Sequence, residues 1–336
     1  MRALLTTAHG DRSVLQLDEN FEDPQPAPGE VVVAIAATAV NFHDIFTRRG
    51  MPGIQIGLPV IVGSDIAGEV IALGPDVDAK WEGKRVLIDP IFRDGKRFGM
   101  IGETCHGGRA ERIAVSTAQL IEIPDGVSLD HAASLPLAYG TAWRMMVTRG
   151  HIAKDETVLV LGASGGVGVA CVQIARLFGA NVIACASSDS KAERLKAIGA
   201  EHVVNYAERP FREAVHEIIG KPRMTGKGGV DVAVNFTGGD TLLDTQKCTR
   251  LGGRILTCGA TAGYDVSLDA RYWWTFEHDL IGSNGWQVSD LEALLTEIDT
   301  GRLEPVIDQR LPLEQSAEAE RLLEDREVVG KVLVVP

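Results

Sequence analysis

Seven residues at positions 162–168, read G-A-S-G-G-V-G, have the plainest chemical meaning in this sequence. They form a variant of the G-x-G-x-x-G pattern, with Ala163 at the place of the first glycine. Backbone without side chains can approach a pyrophosphate closely, and the first N–H groups of a following helix attract its negative charge. The stretch therefore predicts dinucleotide binding through Ala163, Ser164, Gly165, Gly166 and Val167.

The residues after the second strand of this unit indicate which dinucleotide is bound. NAD-binding folds carry an acidic residue there, about 20 positions after the glycine turn, for the ribose 2′-hydroxyl. This sequence instead offers two hydroxyls and an ammonium group, from Ser187, Ser188 and Lys191, which suit the 2′-phosphate of NADP(H). Two alternatives stay open. Asp189 could reach the ribose of NAD(H), or Ser188 caps the next helix and Lys191 is a solvated surface charge.

Strands and helices must hold this turn, and their alternation defines the surrounding domain. The turn follows an apolar strand and precedes a helix predicted at 166–178, which ends before Gly179, a typical residue for a helix C-terminus. Strands are predicted at 156–162, 181–186, 202–205, 230–236, 253–258 and 279–283, with helices between most of them. This alternation favours an α/β fold with a doubly wound parallel sheet.

The chain up to about residue 125 follows a different pattern. Short β-branched runs such as E-V-V-V-A-I-A-A-T-A-V alternate with glycine and proline, which is typical of an all-β, barrel-like module. One short helix is predicted within this module, at residues 41–50, and it is stopped by a glycine. The C-terminal tail reads helix, strand, helix, strand.

Composition and charge limit the class of protein. The 336 residues carry a net charge of −13, which disfavours nucleic acid and anionic membranes as partners. No apolar run is long enough for a signal peptide or a transmembrane helix, so we expect a cytoplasmic protein. The five cysteines are scattered and form no C-x-x-C pair, which predicts reduced, mostly buried thiols and no structural zinc.

Several motifs, taken in order, resemble those of one enzyme superfamily. They are N-F-H-D-I-F-T-R-R-G, G-S-D-I-A-G-E-V, L-P-L-A-Y-G-T-A-W, the glycine turn, G-A-E-H-V-V-N-Y and the ending G-K-V-L-V-V-P. The chain resembles the medium-chain dehydrogenase/reductase superfamily, and within it the zinc-independent, quinone oxidoreductase-like subgroup. This resemblance implies a GroES-like β-barrel catalytic domain at residues 1–125 and 285–336 and a Rossmann domain at 126–284. It also implies a homodimer joined through the edge of the Rossmann sheet.

Three positions decide whether zinc is expected. Zinc-type members of the superfamily have cysteine, histidine and cysteine where this sequence has Asn41, Ser64 and Leu137. Neutral amide and hydroxyl groups bind zinc poorly, and leucine does not bind it. The segment that would hold a second, structural zinc contains one cysteine, so we predict no metal. The alternative of an unrelated metal site rests on His43, Asp44 and Asp65.

The resemblance implies catalytic roles for two neighbouring residues. Asn41 matches an asparagine near the nicotinamide and its ribose in quinone oxidoreductase-like relatives, and its amide could donate to an oxyanion. His43 falls where zinc-type relatives place the hydroxyl of their proton relay, and imidazole titrates near a pH of about 6.5. The alternatives are a loop-capping asparagine and a histidine hydrogen-bonded on a helix face. Asp44 is expected to fix the loop or cap the helix.

The remaining predicted cofactor contacts also come from the resemblance. Thr141 matches a threonine beside the nicotinamide, and Tyr206 matches a tyrosine near the adenine end and the 2′-phosphate. Three loops at the carboxyl ends of strands are expected to line the ribose and nicotinamide. Their residues are Phe236, Thr237, Gly259, Ala260, Thr261, Ser283, Asn284 and Gly285.

Aromatic residues could form a wall for a flat, electrophilic small-molecule substrate. The candidates are Phe46, Tyr139 and Trp273. The alternative is that the cluster R-Y-W-W-T-F, which contains Trp273, belongs to a domain interface or a dimer core. Arg48, Arg49 and Arg271 could bind an anionic substrate tail, with solvated surface arginines as the alternative.

The expected reaction follows from the lack of zinc ligands. Without a Lewis acid, reducing a conjugated double bond or a quinone is easier than interconverting alcohol and ketone, because the developing oxyanion needs only a hydrogen-bond donor or water. The predicted function is an NADPH-dependent, zinc-independent oxidoreductase that transfers hydride to a quinone or an α,β-unsaturated carbonyl. The alternatives are an enoyl-thioester reductase, a zinc-type alcohol dehydrogenase with unusual ligands, and a non-catalytic NADPH-binding protein with a structural or redox-sensing role.

Overall fold

The computed structural model describes residues 1–51, 53–95 and 98–336. Its internal contacts divide the chain into two compact units. Unit 1 comprises Met1–Ala138 and Leu291–Pro336, and unit 2 comprises Tyr139–Asp290. These boundaries lie further along the chain than those of the predicted domains, which were placed at 125/126 and 284/285.

Strands dominate the first part of the chain, and strands alternate with helices in the second. The strands are β1 (Ala3–Thr6), β2 (Leu15–Asp18), β3 (Glu30–Ala39), β4 (Val60–Ile61), β5 (Asp65–Leu73), β6 (Arg85–Ile88), β7 (Arg112–Ser116), β8 (Leu120–Glu122), β9 (Thr157–Val160), β10 (Asn181–Ala186), β11 (His202–Asn205), β12 (Val230–Val234), β13 (Thr249–Thr257), β14 (Asp279–Gly282), β15 (Ile307–Pro312) and β16 (Lys331–Val335). The α-helices are α1 (Phe42–Arg49), α2 (Leu129–Ala133), α3 (Thr141–Trp143), α4 (Gly166–Leu177), α5 (Asp189–Ala197), α6 (Phe211–Ile219), α7 (Thr241–Cys248), α8 (Ala270–Thr275), α9 (Val288–Asp299) and α10 (Ser316–Glu324). In the ranges that the structure describes, no helix combines the length and the apolar character needed to cross a bilayer.

Unit 1 is built on a seven-stranded sheet and a smaller three-stranded one. The larger sheet has the order β15-β16-β3-β5-β6-β8 with β7 paired to β3, and the smaller has the order β2-β1-β4. Strand β3 is buried along most of its apolar run and pairs antiparallel with β5, from Val31 opposite Leu73 to Ala39 opposite Asp65. Valine and isoleucine side chains of these strands share one hydrophobic core. The predicted all-β module is confirmed, and β16 of the tail joins it by pairing with β3.

Unit 2 is built on a six-stranded parallel sheet in the order β11-β10-β9-β12-β13-β14. Its strands lie where the sequence predicts them, so the doubly wound sheet is confirmed. Five strands each contribute a side chain to its core, namely Leu159, Ile183, Val204, Ala233 and Ile255. The strand order reverses between β9 and β12, and the carboxyl ends of these parallel strands meet at one edge, where such sheets bind ligands.

Two helices that carry residues of interest begin and end close to their predicted positions. Helix α1 follows Asn41, which has extended backbone, and stops at Gly50, whose φ is 91°. Helix α4 follows Gly165 and ends at Leu177, and Gly179 then adopts the left-handed region with φ of 76°. Both predicted helices are confirmed.

Most cysteines of unit 2 are buried thiols, and Cys258 is half-buried. Cys171, Cys185 and Cys248 are buried, and burial raises the pKa of the Cys185 thiol to about 12. The thiol therefore stays protonated near neutral pH and is a poor nucleophile. This agrees with the predicted buried thiols, whereas Cys105 of unit 1 is exposed.

Candidate functional site

The glycine turn lies at the carboxyl end of β9, beside the point where the strand order reverses. Gly162 has φ of 63°, and a Cβ on Gly168 would lie 2.2 Å from the Gly162 carbonyl oxygen. Only glycine allows this approach of α4 to the turn. Ala163 is buried and donates its N–H to the Cys185 oxygen, so it shapes the turn from within and does not present a surface to a ligand, contrary to its predicted contact.

The other side of the turn is open. A Cβ on Gly165, which precedes α4, would meet no atom closer than the Gly162 oxygen at 3.8 Å. Helix α4 has no side-chain cap, so its first backbone N–H groups are available to an anion. Ser164, Gly166 and Val167 keep accessible surface beside them. These residues fit the pyrophosphate of a dinucleotide.

Neighbouring strands bring the predicted 2′-phosphate residues to the same edge. Ser187 follows β10, Tyr206 follows β11, and these strands pair directly. Lys191 Nζ lies 3.4 Å from Ser187 Oγ, and the Tyr206 ring is exposed. Ser188 caps α5 by accepting a hydrogen bond from the Lys191 N–H at 3.4 Å, which confirms the structural alternative for that serine.

Asp189 also lies at this end of the sheet. It is the first residue of α5, and its carboxylate accepts a hydrogen bond from Asn205 Nδ2 at 3.0 Å. This neutral partner holds the acidic group toward β11 without removing its charge. Lys191 thus brings a cation to this edge and Asp189 an anion, and the preference for NADP(H) stays a prediction.

The loops after β12 and β13 carry five predicted contacts and are tied together by hydrogen bonds. Asn235 is buried, and its Oδ1 accepts from the N–H groups of Thr237 and Gly238, each at 3.0 Å. The Thr261 N–H donates to the Phe236 oxygen at 3.1 Å. This network brings five of the predicted residues to one edge, namely Phe236, Thr237, Gly259, Ala260 and Thr261. Asn235 positions them, and only its place at the end of a strand could have indicated that role.

A third loop follows β14 at the same edge and contains Ser283, Asn284 and Gly285. The Ser283 N–H donates to the Thr257 oxygen at 2.8 Å. Its hydroxyl is buried and has no hydrogen-bond partner among the described residues, so a bound ligand could satisfy it. Thr141 lies at the start of α3 and is half-buried, and its contact with a nicotinamide stays a prediction.

In unit 1, the amide of Asn41 is engaged on both sides. Its Nδ2 donates to Asp65 Oδ2 at 2.9 Å and to the Ala39 oxygen at 3.2 Å, while Oδ1 accepts from Lys331 Nζ at 2.5 Å. Because an ammonium group only donates, the amide oxygen must face Lys331. No amide hydrogen is left for an oxyanion or a ribose, so the predicted donor role is corrected: Asn41 holds Lys331 and Asp65 together.

The positions of the zinc ligands in zinc-type relatives surround a buried ion pair in this protein. Asp65 Oδ2 lies 3.2 Å from Lys331 Nζ, and Asp65 Oδ1 accepts from the Leu137 N–H at 2.7 Å. Ser64 Oγ is buried without a partner among the described residues. Asn41, Ser64 and Leu137 offer neutral or apolar side chains. The Asp65 carboxylate beside them is already paired with the Lys331 ammonium, which would repel a cation, so these residues do not fit zinc. Nor do three or more His, Cys, Asp or Glu side chains in the described part of the chain form a group that could hold a metal.

His43 is bound to a residue that belongs to none of the motifs in the sequence. Its Nε2 lies 2.7 Å from Glu103 Oε2, and the Glu103 side chain is buried. Burial lowers the pKa of His43, but the hydrogen bond to Glu103 and the charges of Asp44, Glu103 and Asp65 outweigh it, so the pKa lies above its ordinary value. Glu103 lies 60 positions from His43, and no local pattern could have paired them.

The carboxylate of Asp44 has the predicted structural role. It accepts from the Asn41 N–H at 2.9 Å, pairs with Arg109 at 3.3 Å, and burial raises its pKa despite that arginine. The network continues to Arg48, which is fully buried and bonds Glu320 and Glu324 at 2.6 Å each. Arg48 is therefore neither solvated nor available to a substrate, which corrects both predicted roles.

Two of the three aromatic wall candidates lie in the wrong place for that role. Tyr139 is fully buried and its hydroxyl donates to Gln173 at 2.7 Å. Trp273 lines an open cavity of about 440 Å³ that is also lined by Asp279, the first residue of β14. It therefore lies at the amino end of that strand, away from the carboxyl edge of the sheet. Phe46, on α1 beside Phe42, stays a candidate.

Comparisons with known proteins agree with this architecture. The family model "Alcohol dehydrogenase GroES-like domain" matches residues 27–125, and "Zinc-binding dehydrogenase" matches residues 166–300. "Quinone oxidoreductase-like protein 2" of Bos taurus is 31% identical over 93% of this chain and 86% of its own length. "Crotonyl-CoA reductase" of Streptomyces collinus is 30% identical over 92% of this chain and 78% of its own length. A solved structure described as an NAD-dependent alcohol dehydrogenase aligns with all of both chains at a TM-score of 0.92 and 36% identity.

Proposed function

The chain belongs to the medium-chain dehydrogenase/reductase superfamily of oxidoreductases, and we propose that it is an NADPH-dependent reductase that transfers hydride to a quinone or an α,β-unsaturated carbonyl without zinc. The observation that carries this proposal is that Asn41, Ser64 and Leu137, which match the zinc ligands of zinc-type relatives, offer neutral or apolar side chains, while Lys331 binds both Asn41 and Asp65 beside them. A ligand set of this kind cannot supply the Lewis acid that alcohol oxidation uses. A conjugated acceptor does not require it.

The reaction needs a hydride, a proton and a place for the developing negative charge. When bound, NADPH supplies the hydride, which adds to an electron-poor carbon of the acceptor. The electron pair displaced toward the acceptor oxygen then requires a proton on that oxygen or on the adjacent carbon. Asn41, Asp65 and Lys331 form a buried group that we call the Asn41 cluster. His43, two positions from Asn41, is titratable and keeps accessible surface, and it can supply this proton. One hydride and one proton convert a quinone to a hydroquinone or an enone to a saturated ketone.

Three groups at the edge of the sheet support NADPH as the reductant. A 2′-phosphate gains from the Lys191 ammonium, from the Ser187 hydroxyl beside it, and from the exposed ring of Tyr206 on the next strand. The similar solved structure that is described as NAD-dependent makes NADH the alternative. The ratio of kcat/KM for NADPH and NADH tests this choice, and a preference for NADH would contradict it.

The second candidate function is reduction of an enoyl thioester. It is favoured by the similarity to a crotonyl-CoA reductase, which the chain matches over most of both lengths. The chemistry is the same, because a thioester carbonyl also activates the conjugated double bond. The two candidates differ only in the group attached to the carbonyl, which a binding surface for the coenzyme would recognise.

A substrate panel with the purified full-length protein tests these proposals together. NADPH oxidation is followed with a benzoquinone, an enone, an enal and crotonyl-CoA, and alcohols are offered with NADP⁺. We expect oxidation with a quinone or an enone. Reduction of crotonyl-CoA alone would favour the second candidate, and zinc-dependent alcohol oxidation would overturn the proposal. Tight NADPH binding without turnover of any acceptor would indicate the non-catalytic alternative.

A further inference from the structure

We propose that Glu103 is a positioning residue of this site, which holds the His43 ring so that its other nitrogen, Nδ1, delivers the proton of the reduction. The inference rests on the proposed reductase function and adds to it a residue outside the superfamily motifs identified in the sequence. It stands on the short contact between the two side chains and on the loop that places Glu103.

The loop that carries Glu103 is fixed by close backbone packing. Gly102 has φ of 79°, and a Cβ on it would lie 2.7 Å from the Gly63 oxygen. The Gly108 N–H donates to that same oxygen at 2.8 Å. The loop is thus held against the segment that leads into β5, so the Glu103 carboxylate has a defined position before any ligand binds.

The contact leaves one ring nitrogen for chemistry. Nε2 lies 2.7 Å from the Glu103 carboxylate, whose side chain is 4% exposed, while the His43 side chain is 21% exposed. Nδ1 makes no hydrogen bond with the described residues. A histidine bound to a carboxylate through one nitrogen has a defined ring orientation and a defined tautomer. Nδ1 is therefore the nitrogen that can pass a proton to a ligand.

Other charged groups near His43 have partners of their own. Asp44, its neighbour on α1, is paired with Arg109, and Asp65 on β5 is paired with the lysine at the start of β16. These carboxylates favour the imidazolium through space, but Glu103 alone contacts the ring among the described residues. Glu103 is thus the group whose removal should change both the orientation and the protonation of His43.

The proton transfer balances with the hydride transfer. The Nδ1–H bond of the imidazolium breaks, and the proton bonds to the enolate carbon or the quinone oxygen that carries the electron pair. The ring remains as neutral imidazole with Nε2–H donating to Glu103, and the carboxylate stays ionised throughout. Glu103 therefore stabilises the charged ring before the transfer and keeps the correct tautomer after it.

Glu103→Gln tests the proposal in the intact enzyme, because it keeps the side-chain size and removes the charge. With the best acceptor of the panel, we expect kcat to fall about tenfold to a hundredfold while KM for NADPH stays unchanged. The basic limb of the kcat–pH profile should move to lower pH, since the imidazolium loses its carboxylate. Glu103→Asp keeps the charge, so its basic limb should lie between those of the wild type and of Glu103→Gln.

The matched control is Glu122→Gln, which removes an exposed carboxylate paired with Lys84 and should leave kcat and the pH profile unchanged. Unchanged kcat and an unchanged basic limb in Glu103→Gln, with an active wild-type enzyme, would overturn the positioning role while the proposed function stands. Should the glutamine variant fail to fold, the aspartate variant is measured in its place. A basic limb shifted from that of the wild type would support the proposal, and an unshifted limb would overturn it.

A titration without cofactor or substrate separates this inference from the proposed function. The His43 imidazole pKa is measured by NMR, with its resonance identified by its loss in His43→Gln. We expect a pKa above the ordinary histidine value, lowered in Glu103→Gln. An equal pKa in both proteins would refute the coupling of Glu103 to His43. If the panel shows no reduction, the proposed function fails, and this titration still decides whether Glu103 governs the protonation of His43.

Discussion

At the scale of single residues, Lys331 determines what Asn41 can do. The sequence motif suggests an asparagine with a free amide, yet a lysine 290 positions away binds the amide oxygen and turns the nitrogen toward Asp65. The pair of Lys331 and Asp65 is almost fully buried, with side-chain exposures of 1% and 0%. A charge in such a place depends on its partner, because water is not there to replace it.

Lys331→Met should destabilise the protein strongly, because it leaves the Asp65 carboxylate buried without its cation. We expect the free energy of unfolding to fall by about 3–5 kcal/mol, measured by urea denaturation. Lys84→Met is the matched control, since Lys84 pairs with Glu122 on the surface and such exposed pairs contribute at most about 1 kcal/mol. Similar small losses in both variants would show that the buried pair is not required.

Lys191→Ala tests the 2′-phosphate pocket at the same scale. We expect KM for NADPH to rise about tenfold, the scale of a charge-assisted hydrogen bond, with little change in KM for NADH. Lys196→Ala, at the exposed end of the same helix, should alter neither value. An equal rise for both cofactors in Lys191→Ala would refute the assignment of the pocket.

At the scale of elements, the glycines between β9 and α4 differ in the space that surrounds them, and this space determines the role of each. Gly168 has no room for a Cβ, whereas Gly165 faces open space with φ of −73°, which any residue can adopt. Gly168 therefore serves the close approach of helix to turn, and Gly165 leaves the space that the proposed dinucleotide would need.

The two glycine positions predict different outcomes for the same substitution. Gly168→Ala should lower the free energy of unfolding by about 1–3 kcal/mol through overpacking. Gly165→Ala should leave stability nearly unchanged and weaken NADPH binding, because a methyl group would stand where the pyrophosphate approaches. Thermal unfolding and a fluorescence titration with NADPH measure the two effects. Unaltered NADPH affinity in Gly165→Ala would argue against phosphate binding at this turn.

The elements of unit 2 were predictable because their signals are local. An apolar run with β-branched residues predicts each buried strand, and Gly179 marks the end of α4 by the left-handed backbone that glycine favours. Within the candidate site, the places of the turn after β9 and of Ser187 after β10 were predictable because they follow from such elements, and their cofactor contacts stay predictions. Tyr139 and Trp273 were misplaced because aromatic side chains suit a buried core and a surface cavity equally well, and only packing distinguishes the two.

At the scale of the whole molecule, the chemistry of the Asn41 cluster bears on metal content. We expect the purified protein to contain far less than one zinc per chain and to keep its activity after treatment with a chelator. Elemental analysis and the panel assay measure these two properties. A known zinc-type alcohol dehydrogenase, inactivated under the same conditions, is the control. Stoichiometric zinc, or inactivation reversed by added zinc, would contradict the zinc-independent proposal.

Strand β14 is the basis of the expected homodimer. It is the last strand of its sheet, so one side of its backbone lacks a neighbouring strand among the described residues, and Leu280 on it is 37% exposed. We expect a dimer by analytical ultracentrifugation, and Leu280→Lys should shift it toward monomer. Lys154→Ala, in the exposed turn before β9, serves as the control. A monomeric wild-type protein would refute this expectation.

The sequence by itself determined the parallel sheet, the glycine turn and the residue types at Asn41, Ser64 and Leu137, because these depend on neighbouring residues or on the type of residue at one position. The tertiary structure decided which side chains meet. It joined Glu103 to His43 and Lys331 to Asn41, and it buried Tyr139, through contacts between residues far apart in the chain. Such pairs form when separate elements pack, so the spacing of residues along the chain does not predict them.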